Sequence, residues 1–210
     1  MSQLEPAIDR FPNKLGRIIL LAMEEVLGKN DIQAVMGLAG LTHYIGSYPP
    51  NDLELSFEFG DMGKLQAALE GLYGPLAGMG SSLRIGRAAF KYGLREFGAE
   101  LGLTDLAFRT LPLDQRLEAG LLSFAGILNR FSPGRVRVEQ AGAHFTWLIH
   151  RCPVCWGREA NQPVCHLAVG VLQEMLSWLS GGKHYIVVES LCAAAGDPSC
   201  TIVIARQPVE

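Results

Sequence analysis

Val136-Arg137-Val138-Glu139-Gln140-Ala141-Gly142-Ala143-His144-Phe145-Thr146-Trp147-Leu148-Ile149 is the stretch that decides the fold class. Val136 and Val138, then Phe145, Trp147 and Ile149, alternate with polar residues, the period of two that half-buried strands require. Ala141-Gly142-Ala143 supplies the turn, so the stretch predicts a β-hairpin. Ahead of Ser132-Pro133-Gly134 the apolar spacing is instead three and four. Leu117, Leu121, Phe124, Ile127 and Leu128 fall on one face of a helix over Leu113–Phe131. Further upstream, Asn13 is expected to cap a helix through Leu15, Ile18, Ala22 and Val26 that stops at Gly28. Asp31 is expected to cap Ile32–Leu38, and Asp61 to open a helix through Leu65, Leu69 and Leu72 closed by Gly74. Residues 75–97 read as one or two more helices. The single change of period implies an α+β chain: a helical N-terminal two-thirds packed with an antiparallel sheet.

Downstream of the hairpin, a loop from Cys152 to Pro163 leads into a helix from Cys165 to about Ser180, with Leu167, Val171, Leu172, Met175 and Leu179 on its apolar face. Strands follow at Tyr185–Glu189 and Thr201–Ala205, so the late order is ββαββ. No repeat or low-complexity segment interrupts the chain, and residues 1–210 read as one domain, mainly helical over 1–131.

The composition bounds the function. The chain has 210 residues, 49% hydrophobic and 19% charged, enough to bury one sizeable core. Its mean hydropathy of +0.19 is high for a water-soluble chain and calls for an internal apolar cavity or an apolar interface with a second subunit, expected here as a homodimer. The longest apolar run, Ile18 to Met23, is too short to span a membrane, and no cationic leader precedes it, so a cytoplasmic location is expected. A net charge of −3 with scattered basic residues gives no electrostatic case for nucleic acid.

All five cysteines, Cys152, Cys155, Cys165, Cys192 and Cys200, lie in the last third. Such clustering favours metal chemistry over disulfides in a reducing compartment. Thiolates suit zinc, and a structural zinc site takes four protein ligands. Glu189 ends the apolar strand Ile186-Val187-Val188, where a lone carboxylate is costly unless bound. Cys192 follows three residues later, and Gly196-Asp197-Pro198 turns the chain so that Cys200 returns beside it. Cys165 heads the preceding helix, whose N-terminus favours a thiolate. Cys165, Glu189, Cys192 and Cys200 are therefore the expected ligands of a zinc-stapled C-terminal hairpin. Cys152-Pro153-Val154-Cys155 offers alternative ligands, in a set with Cys192 and Cys200 that leaves Glu189 free. The bland alternative is that these cysteines are buried small hydrophobes.

The C-terminal part resembles the vinyl-4-reductase-type, hydrocarbon-binding domain. The resemblance rests on Cys152-Pro153-Val154-Cys155-Trp156, on Pro163-Val164-Cys165 opening a helix with Gly170, and on Glu189-Ser190-Leu191-Cys192 followed by Gly196-Asp197-Pro198-Ser199-Cys200. It makes residues 132–210 the zinc-binding part. It implies kinship with proteins of bacteriochlorophyll synthesis and with sensor domains of phenol-responsive transcriptional activators. In those sensors zinc is held by three cysteines and a glutamate, which falls on Cys165, Glu189, Cys192 and Cys200. The implied role is binding a small hydrophobic or aromatic molecule. Unlike those activators, the chain carries no ATPase module and no helix-turn-helix, so any signalling requires a partner.

No G-x-G-x-x-G opens a helix after a strand, and zinc with four protein ligands has no open position, so no catalytic residues are expected. A pocket walled by Phe145, Trp147 and Ile149 of the hairpin, with Phe90 and Phe124 from the helices, is the expected binding site. The rival functions are a tetrapyrrole carrier or accessory factor in bacteriochlorophyll synthesis, and a vinyl reductase. Glycines 78, 80 and 86 are expected to permit close helix packing.

Overall fold

A computed structural model describes residues 9–98, 108, 110–131 and 135–209. The chain opens with a short strand, β1 (Arg10–Pro12), which pairs antiparallel with β2 (Leu55–Glu58). Between them lie α1 (Asn13–Leu27) and α2 (Lys29–Leu38), and after them α3 (Phe59–Tyr73) and α4 (Pro75–Phe97). Leu113–Phe131 forms α5. The second sheet contains β3 (Val136–Ala141), β4 (His144–Ile149), β5 (Tyr185–Leu191) and β6 (Cys200–Pro208), all antiparallel, with α6 (His166–Ser180) between β4 and β5. The spatial order is β3-β4-β6-β5, so the last strand lies inside the sheet, between β4 and β5.

The chain is α+β and mostly helical, with the change of architecture at the change of hydrophobic period. Three expected caps sit elsewhere. Asn13 begins α1 directly after Pro12, and its amide donates to Asp52 across the chain at 2.9 Å. Asp31 and Asp61 lie inside the first turns of α2 and α3 rather than ahead of them. Each accepts a tyrosine hydroxyl instead, from Tyr73 at 2.6 Å and Tyr44 at 3.1 Å. Acidic residues are favoured in a first turn by the helix dipole as well as at the cap, so composition alone does not separate the two.

α4 is one continuous helix and the axis of the fold, with α1, α3 and α6 packed on it. Its crossing with α6 is set by two glycines. A Cβ on Gly86 would lie 2.2 Å from the Leu167 carbonyl oxygen, and one on Gly170 2.2 Å from that of Leu83. Backbone meets backbone at both points, which only glycine allows. Gly78 likewise approaches the Glu70 backbone at 2.8 Å, whereas Gly80 meets nothing within 4 Å.

The sheet lays Phe145, Trp147 and Ile149 of β4, Ile202 and Ile204 of β6 and Val187 of β5 into the core. Between β5 and β6 the register slips after Glu189, since Glu189 opposes Ile202 and Leu191 opposes Thr201. Ser190 is thus the extra residue of a β-bulge. Its hydroxyl donates to the Thr201 carbonyl at 3.2 Å.

Candidate metal centre and ligand cavity

In a regular strand, residues three apart point to opposite faces. The bulge at Ser190 reverses that parity, so Glu189 and Cys192 both turn inward while Leu191 faces out. From Cys192 a single 3₁₀ turn (Ala193–Ala195) leads to Gly196, at φ +94°, and the chain returns as Cys200 at the head of β6. Asp197 secures this turn by accepting the Cys192 N–H at 2.8 Å. Cys165 caps α6 from its other side, and its N–H donates to Glu189 Oε2 at 2.7 Å. Cys152 and Cys155 come in on the loop that leaves β4.

All five thiols are buried and lie together. Cys165 Sγ is 3.9 Å from Cys192 and 3.6 Å from Cys200, Cys152 is 3.5 Å from Cys165, and Cys155 is 3.4 Å from Cys200. With Zn–S of about 2.3 Å, the edge of a tetrahedral thiolate site is about 3.8 Å. The spacing fits a tetrahedral metal and is far longer than a disulfide bond. Two quartets have donor atoms all within 4.8 Å of one another: Cys165, Glu189, Cys192 and Cys200, the set expected from the sequence, and Cys152, Cys155, Cys165 and Cys200. The all-thiol quartet takes Cys165 where the alternative set has Cys192, because the α6 N-terminus stands between the loop and the hairpin.

Glu189 tests whether the first quartet suits a cation. Oε2 is satisfied by Cys165, but Oε1 is buried with no hydrogen-bond partner. Burial raises the carboxyl above its ordinary range, and the Cys165 N–H opposes that rise only in part. A half-satisfied carboxylate among three sulfurs is costly as it stands and favourable beside a divalent ion. Cys200 has a further donor, the Ala193 N–H at 3.3 Å, as thiolate ligands commonly do.

The cavity lies against this cluster. It has a volume of about 170 Å³ and is enclosed by α1, α4, α5, α6, the β3–β4 hairpin and the loop after it. Phe90, Phe124, Trp147 and Ile149 are on its wall, as the sequence suggests. Phe124 stacks on Trp147 with centroids 5.6 Å apart, and Phe90 meets Phe124 edge-on at 6.3 Å. Phe145 is fully buried but lies further along β4, under the Arg206 guanidinium at 5.0 Å from its ring centroid. The wall is almost entirely hydrocarbon. Asn129, its main polar member, spends its amide on the backbone of Val136, bonding the carbonyl at 2.8 Å and the N–H at 2.6 Å.

Reading the sequence alone misses the contribution of Pro153 and Val154, which also line the cavity. They sit between Cys152 and Cys155, so one loop faces the cavity with its apolar pair and the cysteine cluster with its thiols. The available signal was the apolar character of both residues inside the C-x-x-C.

Residues 146–206 match the family model of the vinyl-4-reductase-type domain. No curated protein matches the chain. Among solved structures, the Fe(II) unliganded H-NOX protein from K. algicida aligns with a TM-score of 0.57 and 11% identity, covering 95% of this chain and 97% of that one. The H-NOX protein from S. oneidensis in its Fe(II)NO state gives 0.55 and 11%, over 92% and 99%. At these identities the likeness is one of fold. The phenol-responsive sensory domain of the transcription activator PoxR is 24% identical over 69% of this chain and 73% of that one, with a TM-score of 0.47. The matched stretch contains all five cysteines, Glu189, Trp147 and Ile149, and over residues 146–206 the chain is a vinyl-4-reductase-type domain.

Proposed function

We propose that the chain is a non-enzymatic binding protein that holds a small hydrophobic or aromatic molecule in the cavity, with a structural zinc at Cys165, Glu189, Cys192 and Cys200. The carrying observation is the cavity itself, at about 170 Å³ with aromatic walls and no free hydrogen-bonding group on Asn129. An apolar protein cavity of about 150 Å³ accommodates benzene. The guest that fits is thus about one aromatic ring in size. Dispersion and apolar burial supply its affinity, and shape sets its selectivity. The vinyl-4-reductase-type match supports a ligand-binding role. A tetrapyrrole carrier is the second reading, since one of the similar H-NOX structures concerns haem distortion in that family. A tetrapyrrole is several times the size of one ring, so the cavity would have to widen greatly to accept it.

Zinc is supported by the unpartnered Glu189 Oε1 and by the tetrahedral spacing of the sulfurs. Bound there, it would tie the α6 N-terminus to the β5–β6 hairpin beside the loop that walls the cavity. A homodimer is supported by the outer face of β5, where Ile186 and Val188 are 59% and 54% exposed. Among the described residues no helix is long and apolar enough to cross a membrane.

The test is native mass spectrometry of freshly purified protein, followed by titration with toluene and phenol while Trp fluorescence is read. A bound organic mass or saturable micromolar binding is expected, and Ala89→Leu, which fills the cavity wall from α4, should abolish it with the fold intact. A co-purifying tetrapyrrole mass would establish the carrier instead. Turnover of a vinyl substrate with reduced nicotinamide would establish the reductase.

A further inference from the structure

We propose that the cysteine cluster binds two metal ions rather than one, as a binuclear thiolate centre in which Cys165 and Cys200 bridge, Cys152 and Cys155 complete one tetrahedron, and Glu189 and Cys192 complete the other. The inference rests on the zinc reading above and extends it to a second ion.

The geometry comes from the two quartets. Each has donors within 4.8 Å of one another, and they share Cys165 and Cys200, whose sulfurs are 3.6 Å apart. Two tetrahedra with one edge in common describe a centre in which two metals are joined by two thiolates. The outer contacts agree with that partition. Cys152 approaches Cys165 at 3.5 Å and Cys155 approaches Cys200 at 3.4 Å on one side, while Cys192 approaches Cys165 at 3.9 Å on the other. Given an edge of 3.6 Å and Zn–S of about 2.3 Å, the metals would stand roughly 3 Å apart.

A single ion leaves donors unaccounted for wherever it is placed. In the all-thiol quartet it leaves the buried Glu189 Oε1 without a partner. In the quartet with Glu189 it leaves Cys152 and Cys155 buried against the thiolates of Cys165 and Cys200. They could remain there only as protonated thiols donating weak S–H···S bonds. Two ions engage all six groups. Six anionic ligands around two divalent cations leave two negative charges, the same excess as one ion in four thiolates. Cys165 at the α6 N-terminus and the Ala193 N–H on Cys200 place positive dipoles at the two bridging sulfurs. Thiolate-rich donors select zinc among the abundant divalent ions.

The centre has a structural consequence. The second ion would be held in part by the loop whose Pro153 and Val154 wall the cavity, so its loss would loosen that wall without dissolving the α6–hairpin staple.

The experiment is elemental analysis of the full chain purified without chelator, with zinc-edge X-ray absorption on the same sample. Two zinc per chain and a metal–metal vector of roughly 3 Å are expected. Cys152→Ser with Cys155→Ser should lower the content to one zinc and remove the vector. One zinc per chain in the unaltered protein, with Cys152 and Cys155 open to alkylation under native conditions, would overturn the binuclear centre and leave the single structural zinc standing. No zinc would overturn both. Iron with acid-labile sulfide would replace the thiolate-bridged centre by an iron–sulfur one. The wild-type measurements decide the matter even where the double variant fails to fold.

Discussion

Glu189 carries opposite meanings in the metal-free and metal-loaded protein. Without metal, burial holds its carboxyl above the ordinary range, so the fold favours the neutral acid. The destabilisation is then absent below about pH 4, the unfolded value, and grows as pH rises towards and through the folded value. With zinc bound, the ionised form is a ligand and the sign reverses. Glu189→Gln should therefore stabilise the chelated protein at neutral pH and destabilise the zinc-loaded one, by about 1–3 kcal/mol in each case. Denaturant titration of both proteins with and without chelator reads this directly, and the same sign in both states would remove Glu189 from the ligand set. Cys192→Ser should lose metal and stability together, since structural zinc contributes folding free energy; unchanged metal content would do the same for Cys192. Both residues were legible in the sequence through their chemistry, a carboxylate after an apolar run and a cysteine three residues on. The bulge that brings them to one face was not legible, because a one-residue insertion leaves no mark on composition.

At the scale of elements, the α4–α6 crossing is the tightest joint in the fold. Gly86→Ala and Gly170→Ala each place a methyl carbon 2.2 Å from a carbonyl oxygen of the other helix, and neither backbone can rotate away as a side chain would. Each should cost about 1–3 kcal/mol and widen the helix pair that forms one side of the cavity. Ligand affinity should fall further than stability. Thermal unfolding with and without toluene separates the two effects, and variants as stable as the parent would show that the helices part freely. The hairpin, α5 and α6 were legible from periodicity because each repeats its pattern over several turns or residue pairs. β1 and β2 were not, since strands of three and four residues carry too few positions to show a period. Their pairing depends on contacts between residues far apart in the chain, such as Arg10 with Glu58 at 3.3 Å. The cavity was legible only as an excess of aromatic and apolar residues. Phe145 and Trp147 share a strand face in the sequence, and it takes the position of α5 to put Trp147 on the cavity wall and leave Phe145 beside it.

The whole molecule has an apolar surface that the internal cavity does not explain. β5 is an edge strand, and alternation sends Tyr185, Val187 and Glu189 inward and Ile186 and Val188 outward. Val188 stands opposite Val203 of β6, so the exposed strip spans two strands. Soluble monomers blunt such edges with charge or proline, but this strip has neither between residues 185 and 189 on its outer side. A second copy of the chain meets the requirement most simply. Two β5 edges related by a two-fold axis run antiparallel, so each can pair with the other's open backbone groups while the valine and isoleucine side chains pack across the axis. Ile186→Lys with Val188→Lys should then convert a dimer into a monomer of unchanged secondary structure, read by light scattering coupled to size exclusion and by circular dichroism. Metal content should be unaffected, because Glu189 and the cysteines face the other side of the strand. Ligand affinity should also persist, since β5 contributes nothing to the cavity wall described above. A parent protein already monomeric at micromolar concentration would show that this surface serves a different partner, and the high hydropathy of the chain would then have to be explained by that partner rather than by self-association.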